Sequence, residues 1–247
     1  MGRRTKEPLL ITGGTVVDGT GGPPSPTTDV LVDGDRIVAV GAGAAEASPP
    51  GTRTIDAAGR TVMPGLVDAH CHVTFGEPLS NDELFWHRPT GTSMLLAAFN
   101  VTKLLRAGVT GFLDADCIAD LGPALRDGIE AGLVEGPRMS SGLNALLTAA
   151  GGTAGRLIPD QGTVGYAQVV RNRDEIVRTT RQQVKYGADW IKVHLTGSLP
   201  NRSGELTVWS RDELIAVTDT AHALDTPVVA HCRNADSTRL AAECGVD

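Results

Sequence analysis

Short apolar runs alternate with longer helical patterns from Thr61 onward, and this alternation constrains the fold more than any other feature of the sequence. Strand–helix alternation is typical of a parallel β-sheet covered by helices. The predicted strands are residues 62–70, 109–114, 137–142, 189–195 and 227–232. The predicted helices are residues 94–107, 174–186 and 211–223, and Ser210 with Glu213 forms a capping-box pattern before the last of them. The sequence therefore predicts an α/β fold for residues 61–247.

Residues 1–60 have a different pattern, in which short β-rich runs are separated by Gly, Pro and Asp. The predicted strands here are residues 9–17, 30–32, 36–40 and 52–55. Asp33 and Gly34 stand between two of these strands, and an Asp-Gly pair between apolar runs is a strong signal for a tight β-hairpin. We predict a small N-terminal β module over residues 1–60.

Charge and composition argue against several classes of partner. The chain of 247 residues carries a net charge of −7 and has no block rich in Lys or Arg, so a phosphate backbone would be repelled. The sequence has no run of about 18 apolar residues that could span a membrane. The four cysteines show no C-x-x-C spacing, which favours reduced thiols and a cytoplasmic protein. The expected partner is a small-molecule substrate rather than nucleic acid or a membrane, and a homo-oligomer is left open.

A pair of histidines ends the first strand of the α/β region. Side chains two residues apart on a strand point the same way, so His70 and His72 could hold one metal ion between them, while Cys71 faces the opposite side. Many such pairs occur without a metal. This pair, however, lies at the C-terminal end of an apolar strand, where parallel barrel enzymes place their catalytic groups.

Two further strands carry residues that can do chemistry. Lys192 lies inside an apolar strand, where a lysine is costly unless it is neutralised or bound, although it could also reach solvent from the strand end. His231 ends another apolar strand and, taken alone, would be interpreted as a core histidine. Because the C-terminal ends of parallel strands meet at one face of a barrel, we expect these side chains to converge with His70 and His72.

Several segments resemble the amidohydrolase superfamily, above all its imidazolonepropionase-like and Xaa-Pro dipeptidase-like branch. They are Met63–His72, Gly187–Val193, Val228–His231 and Ala241–Asp247. Two earlier segments, Gly13–Asp18 and Asp33–Gly41, resemble the strands of that family's N-terminal β-sandwich. The resemblance implies a (β/α)8 TIM-type barrel preceded by an N-terminal β-sandwich module, with about five of the eight barrel units in residues 61–247.

The resemblance also implies a binuclear metal centre. His70 and His72 would bind the more buried of two divalent ions, most plausibly zinc, and His231 would bind the second. Lys192 would carry a carbamate derived from carbon dioxide and bridge both ions, because a carbamate supplies two anionic oxygens. A bridging hydroxide would attack the substrate carbonyl. The implied activity is hydrolysis of a carbon–nitrogen bond in a cyclic amide, an N-acyl amino acid or a dipeptide.

The sequence departs from the family pattern in two respects, and three further residues have open roles. The family's histidine after strand six and its catalytic aspartate after strand eight have no counterpart up to Asp247, so we expect the chain to be an N-terminal portion that is inactive alone. Thr153 stands where this branch often has a histidine. His194 points to the same side as Lys192 and either contacts substrate or supports another ligand by a hydrogen bond. Asp114 and Asp116 either orient metal ligands or cap a turn.

Two alternative functions are left open by the sequence. A heterocycle deaminase of the same superfamily is the first, although those deaminases generally use one metal ion and lack the bridging lysine, so Lys192 argues against it. The second is a chain without catalytic function, either an inactive fragment or a piece that pairs with another polypeptide.

Overall fold

Five strands form the sheet of the first of two units, Met1–Gly65. They are β1 (Leu9–Val16), β2 (Ser25–Asp33), β3 (Arg36–Val40), β4 (Arg53–Asp56) and β5 (Thr61–Val62). The order is β3-β2-β1-β4, and β5 also pairs with β1. The predicted hairpin is confirmed, because β2 and β3 are antiparallel and Gly34 between them adopts a φ of 61°. The computed structural model describes residues 7–152, 158, 160, 163–198 and 204–247, so Thr153 lies outside the described residues.

The prediction of one continuous strand over residues 62–70 was wrong, because the structure has two separate strands there. Thr61 and Val62 pair in parallel with β1 of the first unit, and the next strand, β6, spans Leu66–Cys71. Pro64 lies between the two strands and has no backbone N–H to donate to a ladder. The chain therefore passes from one unit to the other at this point, and the second unit is Leu66–Asp247.

The second unit contains parallel strands joined by helices. Its further strands are β7 (Val109–Asp114), β8 (Arg138–Ser141), β9 (Ala145–Leu147), β10 (Thr163–Val164), β11 (Ala167–Val169), β12 (Ile191–His194), β13 (Thr196–Ser198), β14 (Glu205–Thr207) and β15 (Val228–His231). Strands β6, β7 and β8 are parallel neighbours, and β9, β12 and β15 form a second parallel set. A parallel bridge from Gly142 to Trp190 connects the two sets. The predicted parallel sheet is confirmed.

The helices of this unit lie between the parallel strands. They are a π-helix (Glu83–His87), α1 (Thr90–Arg106), α2 (Leu121–Glu130), α3 (Arg173–Lys185), α4 (Arg211–His222) and α5 (Ala235–Glu243). The three predicted helices correspond to α1, α3 and α4, and the capping box at Ser210 and Glu213 is present. The π-helix, α2 and α5 were not predicted. Among the described helices, none combines the length and apolar character that a membrane crossing requires.

The largest apolar core lies where β12 and β15 pack against α3 and α4. Ile191, Val193, Leu214 and Val217 are fully buried in it. All four residues of β12 are buried, as expected for a parallel strand covered on both faces. Strand β6, in contrast, is exposed, with Val67 73% accessible. Any functional group on β12 therefore lies in a packed interior.

Candidate active site

Titratable side chains from four parallel strands meet at their C-terminal ends. His70 lies on β6, Asp116 follows β7, Lys192 lies on β12 and His231 ends β15. His72 and His194, the other two members of the cluster, come directly after β6 and at the end of β12. Each of the predicted site residues is therefore at the same edge of the parallel strands, which is the catalytic edge in parallel barrel enzymes.

Lys192 is the most deeply buried member of this cluster. Its side chain is fully inaccessible, so the alternative of a lysine reaching solvent from the strand end was wrong. Its Nζ lies 3.3 Å from His70 Nε2 and 4.0 Å from Asp116 Oδ2. Burial lowers the pKa of Lys192, because removal from water disfavours the ammonium form. Burial and the neighbouring Lys192 also lower the pKa of His70.

Asp116 links two of the histidines. Its Oδ1 lies 3.2 Å from His72 Nδ1, and its Oδ2 lies 3.2 Å from His194 Nε2. Burial opposes ionisation of this carboxyl, but the contacts with His194 and His72 hold its pKa well below the usual range. Burial alone would lower the pKa of His72, yet the contact with Asp116 raises it. Asp116 therefore orients imidazoles, the first of the two roles considered for it.

His194 and His231 stack on one another. Their ring centroids are 4.5 Å apart with an angle of 8° between planes. On the far side, His231 Nε2 lies 3.4 Å from Glu205 Oε2, and Glu205 Oε1 accepts a hydrogen bond of 2.8 Å from Arg233. Burial, followed by the nearby His194, lowers the pKa of His231. Glu205 was missed by sequence reasoning, because it begins the three-residue strand β14 and belongs to no periodic pattern.

A cavity of about 360 Å³ opens onto this cluster. Its polar side is formed by His72, Asp116, Lys192, His194 and His231. Its other side is formed largely by apolar residues of the loop and π-helix after β6, together with Tyr166. The cavity therefore lies directly beside the imidazoles, although the Lys192 side chain itself has no exposed surface.

The predicted metal ligands are each engaged by an internal partner. His70 contacts Lys192, His72 contacts Asp116 and His231 contacts Glu205. Within the described part of the chain, no three His, Cys, Asp or Glu side chains are arranged to hold a metal ion. The donor types nevertheless suit a divalent ion, since imidazoles lie beside the buried carboxylate of Asp116.

Fold and site together define an α/β protein of the TIM-barrel-like class with an enzyme-type site at the C-terminal strand ends. The Amidohydrolase family model matches residues 61–244. The chain belongs to the amidohydrolase family, and the resemblance seen in the sequence is confirmed.

Curated relatives and solved structures agree with this family. Adenine deaminase of Rubrobacter xylanophilus is 46% identical over 65 residues, which are 26% of this chain and 11% of that protein. Imidazolonepropionase of Streptomyces avermitilis is 33% identical over 100 residues, which are 40% of this chain and 23% of that protein. The crystal structure of a prolidase complexed with N-methylphosphonate-L-proline is 27% identical, with a TM-score of 0.83 over 97% of this chain and 59% of that one. The chain thus spans about three fifths of the length of that structure.

Proposed function

We propose that this chain provides part of a metal-dependent hydrolase site for a carbon–nitrogen bond, such as that of a cyclic amide, an N-acyl amino acid or a dipeptide. The observation that carries the proposal is the buried Lys192, whose Nζ lies 3.3 Å from His70 Nε2 at the C-terminal ends of parallel strands. Family membership supports metal-dependent hydrolysis in general, because the relatives include a deaminase and a prolidase.

The environment of Lys192 favours carbamate formation. Burial lowers its pKa and so increases the fraction of neutral amine, which is the form that attacks carbon dioxide. The amine nitrogen forms a bond to the carbon, one C=O π bond becomes an anionic oxygen, and the nitrogen releases a proton. The amine that contacts His70 would then become a group whose two oxygens share one negative charge and face a cation.

The proposed ligands are His70, His72 and His231 with the carbamate on Lys192. Two divalent ions held there, zinc being the first candidate, would polarise the substrate carbonyl and acidify a water molecule. Asp116 would keep His72 oriented through Nδ1, which leaves Nε2 to bind an ion. Glu205 would orient His231 in the same manner through Nε2 and leave Nδ1 as the donor. His194 has one nitrogen on Asp116 and would support that carboxylate or contact substrate.

The finer architecture belongs to the same proposal. Strands β6, β7, β8, β12 and β15 would be the first five of eight barrel strands, and the sheet of Met1–Gly65 would be part of a β-sandwich. A cytoplasmic location is supported by the four cysteines, all of which are free thiols. The proposed partner is a small-molecule substrate, with neither nucleic acid nor a membrane involved.

The carbamate can be tested without knowing the substrate. The chain is loaded with zinc in the presence of ¹³C-labelled bicarbonate and examined by ¹³C NMR, and bound zinc is counted by mass spectrometry. We expect a carbamate signal and about two ions per chain, and we expect Lys192→Met to lose the signal and much of the zinc. Lys185→Met, which changes an exposed lysine at the end of α3, is the matched control. An identical zinc content and no carbamate signal in the wild type and Lys192→Met would refute the bridging role.

A further inference from the structure

Three aromatic rings form a wall of the cavity that the proposed chemistry does not use. Phe75 follows β6, Phe85 lies on the π-helix and Tyr166 lies between β10 and β11. The ring centroids are 6.4 Å apart for Phe75 and Phe85, 5.9 Å for Phe75 and Tyr166, and 5.2 Å for Phe85 and Tyr166. These three residues, named here the aromatic wall, contact one another as a continuous surface with Leu84 beside them.

The aromatic wall begins directly at the reactive groups. Phe75 stacks on His72 with ring centroids 4.9 Å apart and an angle of 3° between planes. Tyr166 lies 5.3 Å from the ring of His194. The imidazoles near Lys192 are thus in contact with the aromatic wall. A substrate whose carbonyl carbon lies near Lys192 would therefore place its substituent along the aromatic wall.

The wall is held in place by a partly buried ion pair behind it. Arg88 Nε and Nη2 donate to the two carboxylate oxygens of Glu83, each at 2.9 Å, and Nη1 donates to the carbonyl oxygen of Phe75. One arginine thus connects the π-helix that carries Phe85 to the loop that carries Phe75. Gly165 has a φ of 61°, and a Cβ there would come within 2.6 Å of Phe85 Cδ1, so its lack of a side chain leaves room for that ring.

The charges around the cavity argue against an anionic group at the wall. Among the described residues that line it, those on the wall side carry no charged side chain, and the ionisable groups of Asp116 and Lys192 lie 4.0 Å apart on the other side. Arg88 does not line the cavity and is already engaged by Glu83. A carboxylate placed against the wall would therefore lose its water without gaining a cationic partner there, which is unfavourable.

We propose that the aromatic wall is a subsite for an uncharged aromatic substituent of the amide substrate. This inference rests on the proposed function for its reaction, but not for its binding. The cavity of about 360 Å³ falls in the range of about 300–1,000 Å³ that small-molecule sites occupy. A flat ring can contact the wall by offset or edge-to-face packing, which adds to the burial of its area. Phe85 is the ring to test, since Phe75 and Tyr166 also contact the imidazoles of His72 and His194.

The test compares three amides that differ in one feature each. Acetanilide carries a neutral ring, acetamide carries no ring, and 4-acetamidobenzoate carries the same ring with a carboxylate. Dissociation constants are measured by ligand-observed NMR on the full chain, with and without zinc. We expect acetanilide to bind at least about tenfold more tightly than either of the others, and Phe85→Ala to weaken acetanilide about tenfold while acetamide is unchanged, a factor of ten being about 1.4 kcal/mol.

Two further variants keep the result interpretable. Phe99→Ala removes an exposed phenylalanine of α1 that does not line this cavity, and it should leave all three affinities unchanged. Phe85→Leu keeps an apolar side chain in place if Phe85→Ala fails to fold, and it should still weaken acetanilide binding. Equal affinities for the three amides, or an unchanged affinity for acetanilide in both Phe85 variants, would overturn the subsite. Ring-selective binding in a chain that takes up no zinc and forms no carbamate would instead uphold the subsite and overturn the proposed reaction.

Discussion

Replacing Asp114 with asparagine should change how the stability of the second unit depends on pH. Asp114 is fully buried at the end of β7. Its Oδ1 accepts a hydrogen bond of 3.2 Å from the backbone N–H of Val73, whereas its Oδ2 has no hydrogen-bond partner. Burial raises the pKa of Asp114 to about 7, against the lowering effects of Val73 and His72 and with a further raising effect from Asp116.

The sign and size of the effect follow from proton uptake. An unfolded aspartate has a pKa near 3.8, so between about pH 4 and pH 7 the folded chain holds a proton that the unfolded chain has lost. The free energy of unfolding therefore falls as pH rises through this window. Above the window, Asp114 no longer makes the free energy of unfolding depend on pH. At pH 5 the folded pKa lies about 2 units higher, and each unit is worth about 1.4 kcal/mol, so lowering the pH from 8 to 5 should add up to about 2.7 kcal/mol through this group.

The assay is urea unfolding of the metal-free chain at pH 5 and pH 8, followed by tryptophan fluorescence. All three tryptophans, Trp86, Trp190 and Trp209, lie in the second unit. In Asp114→Asn the extra stability at pH 5 should largely disappear, and any fixed cost of the new amide cancels because it is the same at both pH values. Asp219→Asn, on the exposed face of α4, should behave as the wild type does. Equal gains on acidification in wild type and Asp114→Asn would refute the assignment of a bound proton to Asp114.

Three smaller predictions test the scaffold and the site. Ser210→Ala removes the capping box of α4 and should lower the free energy of unfolding by about 1 kcal/mol in urea titrations, and an unchanged midpoint would contradict the cap's contribution. Gly142→Ala should lower the free energy of unfolding by about 1–3 kcal/mol, because its Cβ would overlap the backbone oxygen of Ala115. Gly128→Ala in α2 should raise the free energy of unfolding by about 0.5–1 kcal/mol, because alanine is the better helix former. Calorimetric melting of both variants checks these opposite signs. Zinc at about 100 times its dissociation constant should stabilise the wild type by about 2.7 kcal/mol and His231→Ala by clearly less, and an equal thermal shift in both would argue against His231 as a ligand.

The sequence predicted most of the elements that depend on local pattern. Residues 109–114, 211–223 and the Asp33-Gly34 hairpin were found near their predicted bounds because turn chemistry and periodicity are local signals. Helix α2 was missed because Gly122 and Pro123 stand in its first turn, where proline is tolerated but the helical pattern is obscured. The boundary near residue 62 was misjudged because the partner of Thr61 and Val62 is a strand about 45 residues earlier, which a local pattern cannot reveal.

Some residues of the site could likewise be found from local sequence signals, and others could not. His70, Lys192 and His231 could be found because each is a chemically unusual residue at the end of an apolar strand. Asp116 gave a partial signal, an acidic residue just after β7, but its contacts with His72 and His194 depend on residues 44 and 78 positions away. The aromatic wall gave none, because Phe75, Phe85 and Tyr166 belong to loops and to a five-residue π-helix without periodicity. Its recognition required the tertiary structure.

The burial of the cluster bears on why these groups are present at all. Lys192, Asp116 and His194 are buried in a position that apolar side chains of similar volume could fill, and a buried pair of opposite charges often stabilises a fold no more than such side chains would. One polar atom there, His194 Nδ1, is buried without a hydrogen bond, and such an atom costs about 1–3 kcal/mol. The arrangement is therefore poor as a core and reasonable as a ligand-binding centre. Lys192 stands on the fully buried β12, so this strand fixes the lysine, and His70 Nε2 lies 3.3 Å from its Nζ.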